Sequence, residues 1–268
     1  MPEHKRETEA SQRRHPTAWR LLKGAIGRIL SVYHREIVIM RGRGLRLLSG
    51  MAVSPTLYFV IFTQAMDHTR LEGVPYSTFL LPGLVAMASM TQSYALASEI
   101  NIARFYFHTF DEIRASPIRP VEYVMGEVLA GTSRGLAAGG VVAAIGGLFG
   151  VPFHAGPLFW AGIVLNAFCF ACIAVAIAMA VRSHRDQALL NNFIITPMAF
   201  LGGTFFSVKT VPEWASLLLN MLPLTQSSSL IRQASLASPV ELSRLAVLTG
   251  LGAVFFMAAV LLTKQSRE

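Results

Sequence analysis

Residues 135–181 read GLAAGGVVAAIGGLFGVPFHAGPLFWAGIVLNAFCFACIAVAIAMAV, 47 positions without an Asp, Glu, Lys or Arg. A helix rises about 1.5 Å per residue, so roughly 20 apolar residues cross the hydrocarbon core of a bilayer. The run therefore holds two such helices, with Gly150, Pro152, Gly156 and Pro157 marking the turn between them. Shorter charge-free runs flank it at Leu47–Met66, Ser77–Ser98, Gln187–Val208 and Leu245–Thr263, of 20, 22, 22 and 19 residues. The expected architecture is an all-α polytopic membrane protein. Its six spans fall at about 45–66, 78–98, 128–150, 158–181, 188–206 and 245–263.

Charge distribution orients the bundle. Charged residues make up 14% of the 268, against about 25% in soluble domains. Residues 1–46 hold 11 of the 23 Lys and Arg. Arg104, Arg114, Arg119, Arg134, Arg182, Arg185, Lys264 and Arg267 fall on that same side, leaving Arg70, Lys209, Arg232 and Arg244 opposite. The positive-inside bias places both termini, and the 265–268 tail, in the cytoplasm. An even number of spans requires the same result. The first apolar run opens only near Leu47, after a basic leader, so no cleavable signal segment is expected.

Residues 1–17 are polar and aperiodic and read as a disordered tail. From 18 a stripe of Trp19, Leu22, Ile26, Ile29, Leu30, Tyr33, Ile37 and Met40 opposes Arg20, Lys23, Arg28 and Arg35. That pattern predicts an amphipathic helix lying in the inner interface. Gly131, Gly135 and Gly139, continued by Ala143 and Gly147, place small residues on one face of the third span. Close packing inside one subunit is the expected use, a subunit interface the alternative. Arg134 is expected to snorkel to the cytoplasmic surface. Cys169 and Cys172 read as small core residues in a lipid-embedded helix.

Three segments carry candidate function. The loop at about 104–117 is amphipathic, rich in aromatics and closed by prolines, which predicts a docking surface; a helix resting on lipid is the competing reading. Its candidate residues are Arg104, Phe105, Phe107, His108, Asp111, Glu112, Arg114 and Pro117. In the fifth span Asn191, Asn192 and Thr196 are costly against lipid and are expected on the bundle interior, lining a substrate path with Gln92 or bonding other helices. Residues 211–232, broken at Pro223, read as a re-entrant helix pair dipping in from outside. They make an external gate from Phe205, Phe206, Pro212, Trp214 and Pro223. Tyr58, Phe59, Tyr94 and Trp214 suit ring stacking and equally suit the interfacial aromatic belt.

The chemistry for other functions is missing. The chain has no G-x-x-x-x-G-K-[ST] phosphate loop and no H-E-x-x-H, and Asp111-Glu112 is its only adjacent acidic pair. A membrane-embedded lipid-modifying enzyme would carry paired acidic or His residues. An ion-coupled carrier would place Asp, Glu or His inside its spans, where only Arg134 is found. No catalytic residue or metal site is assigned, nucleic acid is not an expected partner, and energy must come from another protein.

The chain resembles the type-2 permease subunits of ATP-binding-cassette exporters from about Tyr33 to Thr263. The most specific piece is Pro197-Met198-Ala199-Phe200-Leu201-Gly202-Gly203-Thr204-Phe205-Phe206, followed by Val211-Pro212-Glu213-Trp214, Leu222-Pro223-Leu224-Thr225 and Arg232. Leu222 stands where Asn is commoner. The loop at Phe107–Pro117 and the pair Gly126-Glu127 also fit that family's pattern. The resemblance implies one permease domain over 18–264, in the bacterial inner membrane. It implies a homodimer working with two copies of a separate cytoplasmic ATPase, which alone binds ATP and Mg. The 104–117 segment would be the coupling helix, braced by the interfacial helix. Members exporting lipid-linked or polymeric saccharides, including nodulation-factor-type lipo-oligosaccharides, look closest; drug and antibiotic exporters share nearly all these features.

Overall fold

The computed structural model describes residues 18–42, 44–66, 68–107, 110 and 115–266. The 1–17 tail, His108, Thr109, Asp111, Glu112, Arg114 and the last two residues lie outside the described set, as do the side chains of Trp19, Arg20 and Leu22. Helix α1 is Ala18–Gly42 and α2 Gly44–Ala65. A two-stranded antiparallel hairpin follows, β1 (Arg70–Leu71) with β2 (Val74–Pro75), in register Arg70 to Pro75. Its tip, Glu72 and Gly73, has φ of 51° and 83°, the left-handed pair that a tight two-residue hairpin turn demands. Then come α3 (Tyr76–Tyr94), α4 (Leu96–Phe105), α5 (Pro120–Leu148) and α6 (Pro157–Ala180). The fifth rod is built in pieces: α7 (His184–Leu190), a π-helical turn Asn191–Ile195 and α8 (Thr196–Leu201). Two short helices, α9 (Glu213–Asn220) and α10 (Pro223–Ser235), precede α11 (Leu242–Gln265).

Among the described residues, four helical stretches are long and apolar enough to cross a membrane: Tyr76–Phe105, Pro120–Leu148, Pro157–Ala180 and Leu242–Gln265. Their middles match the charge-free runs, but their ends run on. Helix α5 opens at Pro120, about two turns before the span expected from 128, because proline pre-sets the first helical turn and Glu122 accepts from the Arg119 backbone amide. That extension buries Glu122 and Glu127, acidic side chains that the uncharged runs had left out of the bundle.

The core is centred on α3, whose residues Phe79–Met90 are almost all buried. Helix α5 approaches it most closely, and the glycine stripe is the reason. A Cβ at Gly135 would lie 2.0 Å from Ser93 Oγ and 2.8 Å from both Ala167 Cβ and Ser89 O. One at Gly131 would meet Ala171 at 2.9 Å, and one at Gly139 would meet Ile163 at 2.9 Å. The stripe thus packs three helices of one chain. Cys169 and Cys172 are free and fully buried in α6, and α11 packs mainly on α6.

Helix α1 packs on α5 in a way the stripe alone did not show, and one expectation, for Arg134, needs correction. Helix α1 docks on α5 through its charged side: Arg28 forks to Glu122 at 2.6 and 2.7 Å, and Arg35 reaches Glu127 at 2.8 Å. Ile26 and Leu30 stay exposed, while Tyr33 of the same stripe is half-buried and its hydroxyl lies 3.1 Å from Ser133 Oγ of α5. Arg134 does not snorkel. It is 9% exposed and donates to Glu99 at 2.7 Å and Gln92 at 3.1 Å, partners that the continuation of α3 into α4 places within reach.

Candidate functional site

Helices α2 and α3 and the broken fifth rod enclose a cavity of about 250 Å³. Gln92, Asn191 and Thr196, all expected on a substrate path, line it, and Thr91 and Ser54 add two hydroxyls. Met51, Pro55, Tyr58, Met87 and Phe200 supply the apolar wall, and no lining residue is charged. Asn192 is not part of it. The π turn explains the split: a wider turn with bonds from i to i+5 rotates successive side chains away from α-helical registry. Thr196 Oγ1 donates to Asn191 O at 3.1 Å, five residues back.

Asn191 and Asn192 were expected inside the bundle, and within a single chain they are not. Both are exposed, beside Phe193 and Ile194, which are 75% and 50% exposed. Amides at membrane depth cannot stay against lipid without cost. The rod therefore presents a half-polar face that its own chain leaves uncovered.

An aromatic cluster closes the cavity toward the β-hairpin. Phe205 stacks on Phe200 with centroids 5.5 Å apart, and meets Phe62 at 4.7 Å and Tyr58 at 5.8 Å. Tyr76 OH donates to Phe205 O at 3.0 Å, pinning the segment after α8 to the start of α3. Phe205, assigned to the gate, thus stands behind Tyr58 and Phe200, which line the cavity with the path residues. Phe206 is half-buried, while Pro212 and Pro223 sit where α9 and α10 begin. Trp214 is 70% exposed on α9 beside exposed Leu217 and Met221, away from the cavity.

Sequence reasoning passed over Arg232, although it stands in the motif region. It is 6% exposed on α10, its guanidinium 3.8 Å from the centre of the Phe79 ring. It donates to Phe79 O at 3.2 Å and to Gly203 O at 2.7 Å, joining α10, α3 and the end of α8. Nearby, Ser207 Oγ donates to Glu72 at 2.5 Å and Lys209 Nζ lies 3.6 Å from the same carboxylate. Partial burial alone would raise the Glu72 carboxyl. The Ser207 hydrogen bond and the charges of Lys209 and Arg232 outweigh it, holding Glu72 below the usual carboxylate range. The signal was available: a lone Arg in an uncharged stretch needs a built-in partner.

At the opposite end the candidate docking residues divide. Phe107 is 73% exposed and Pro117 also faces out. Phe105 is half-buried, and Arg104 turns inward to donate to Ala178 O at the end of α6. Phe110 is buried edge-on against Tyr123, 5.9 Å between centroids. His108, Asp111, Glu112 and Arg114 lie outside the described residues. Of the stacking candidates, Tyr58 lines the cavity, Phe59 is buried against Phe149, and Tyr94 is buried in a polar cluster.

Comparison with known proteins follows this geometry. Residues 28–236 match the ABC-2 type transporter family. The inner membrane transport permease YadH of Escherichia coli K12 is 30% identical over 199 residues, 72% of this chain and 77% of that protein. Nodulation protein J of Sinorhizobium fredii is 26% identical over 214 residues, 78% and 82% of the two chains. That of Rhizobium meliloti is 27% identical over 228 residues, 79% and 82%.

Proposed function

The chain belongs to the ABC-2 type transporter family, and from that premise we propose that it is the membrane-spanning permease subunit of an ATP-driven exporter. The observation that carries this reading is the cavity: uncharged, half polar and half aromatic, and flanked by a rod whose amides its own chain leaves bare. A second copy set against α2 and the fifth rod would cover those amides and close a shared path. In this reading α2 and the fifth rod complete six spans with both termini in the cytoplasm of a bacterial inner membrane. Helices α9 and α10 form the re-entrant gate, with Phe205, Phe206, Pro212, Trp214 and Pro223 at its edges. Two copies of a cytoplasmic ATPase hold the ATP and Mg and dock on the 104–117 segment.

The cargo we propose is a lipid-linked glycan, polysaccharide or lipo-oligosaccharide. Neutral amides and hydroxyls from Gln92, Asn191, Thr91 and Thr196 suit sugar hydroxyls, while Tyr58 and Phe200 suit ring stacking or an acyl chain. Relatives named nodulation protein J lean the same way. The test is to purify the chain from its native membrane, identify the bound ATPase and lipid, and follow ATP-dependent uptake into inverted vesicles. A co-purified ATPase with glycolipid uptake supports the proposal. Uptake confined to apolar drugs would transfer the cargo to the drug-efflux reading, and transport by the lone chain would remove the ATPase-driven scheme.

A further inference from the structure

A buried line of hydrogen bonds joins three elements near the docking end. Asn101 Nδ2 donates to Gln187 Oε1 at 2.9 Å, and Gln187 Nε2 donates to Tyr94 OH at 2.8 Å. The three side chains are 0%, 1% and 3% exposed. Asn101 belongs to α4, which ends just before exposed Phe107. Gln187 belongs to α7, one helical turn before Asn191, the π-turn residue that lines the cavity. A second contact runs parallel to the first: the Tyr106 ring meets His184, the first residue of α7, edge-on at 6.2 Å.

The two ends of this line differ in how their bonding resists displacement. Buried polar partners hold their geometry tightly, because breaking the bond strands both groups away from water. A π turn does the opposite: a helix can absorb a one-residue register change there without losing its ladder. Asn101 Oδ1 has no hydrogen-bond partner despite its burial, so the line keeps a spare acceptor for a shifted arrangement. A displacement of the α4 end is thus handed rigidly to α7 and reaches compliant backbone at the cavity wall.

We infer that Asn101, Gln187 and Tyr94 are positioning residues that convert movement of the segment after α4 into a reset of the π turn, and so of the cavity wall. The inference rests on the permease reading above. The alternative is a polar cluster that only stabilises the bundle.

The test places spin labels at Ser54→Cys and Thr196→Cys, across the cavity, in the complex purified with its ATPase; Cys169 and Cys172 are buried and do not compete. Distances are measured by pulsed electron paramagnetic resonance with and without ATP and vanadate. The labelled parent protein should change its distance distribution with nucleotide. In Gln187→Leu the ATPase should stay bound and active while the fraction of molecules that respond falls about fivefold or more, the low end of ordinary coupling between sites. Asn101→Leu, which breaks only the α4 to α7 bond at similar volume, should behave alike if Gln187→Leu does not fold. A full nucleotide response in either folded variant overturns the inference, as does a loss that merely tracks lower hydrolysis or thermal stability. A parent protein whose cavity ignores nucleotide removes the permease reading itself, and the link with it.

Discussion

Arg232 offers the sharpest test at the scale of one residue, because its guanidinium holds carbonyls from two other elements while lying on the Phe79 ring. Arg232→Met keeps volume but strands Gly203 O, so thermal unfolding in detergent should show a loss of about 1–3 kcal/mol. Arg232→Lys should lose less, since one ammonium keeps the charge but cannot fork. Unaltered stability in both would deny the tie. Glu72 adds a pH dependence. Its carboxyl sits below the usual range when folded, so the stability it contributes is full above the unfolded value of about 4.3 and is lost as pH falls through the lower folded value. Melting midpoints between neutral pH and pH of about 3 should therefore fall further for the parent protein than for Glu72→Gln. Equal slopes would contradict the assignment. The role of Glu72 was not legible in the sequence, where an isolated Glu outside a span reads as a solvated charge until long-range contacts give it partners; Arg232, at the end of an uncharged stretch, carried a signal of its own.

Elements were legible in proportion to how local their causes are. The four-residue glycine spacing in α5 predicted close helix packing, and the structure places Ser93 and Ala167 against it. Gly135→Ala should destabilise by about 1–3 kcal/mol through overpacking, whereas Gly147→Ala, with open space at its Cβ, should stay within about 0.5 kcal/mol. Unfolding midpoints of the two variants check this, and equal effects would refute the stripe's role. The π turn had no comparable signal. Asn191-Asn192-Phe193-Ile194-Ile195 reads as ordinary helix taken alone, although Pro197 just after it cannot donate to Phe193 O and so breaks the α-helical ladder at this turn. For the same reason Asn191 lines the cavity while Asn192 does not, a split that the sequence did not show. Arg134 failed differently: its partner Glu99 lies beyond the uncharged run, on α4, which continues the line of α3.

At the scale of the whole molecule the uncharged runs found the long helices because lipid forbids charge along their middles. They could not show that α1 would clamp α5 through Arg28 and Arg35, which depends on which faces meet. In the proposed reading, function at this scale is a division of labour between the cavity and the exposed Phe107 at the far end, where the partner would dock. Phe107→Ala should leave folding intact and ATP hydrolysis by the partner measurable while abolishing coupled transport in vesicles; unchanged transport would remove Phe107 from the docking surface. The most direct measurement is thiol labelling of Phe107→Cys and Met221→Cys in intact and permeabilised cells with a membrane-impermeant maleimide, both positions being 73% and 72% exposed. The account predicts that Met221→Cys reacts in intact cells and Phe107→Cys only after permeabilisation. Labelling of Phe107→Cys in intact cells would contradict it.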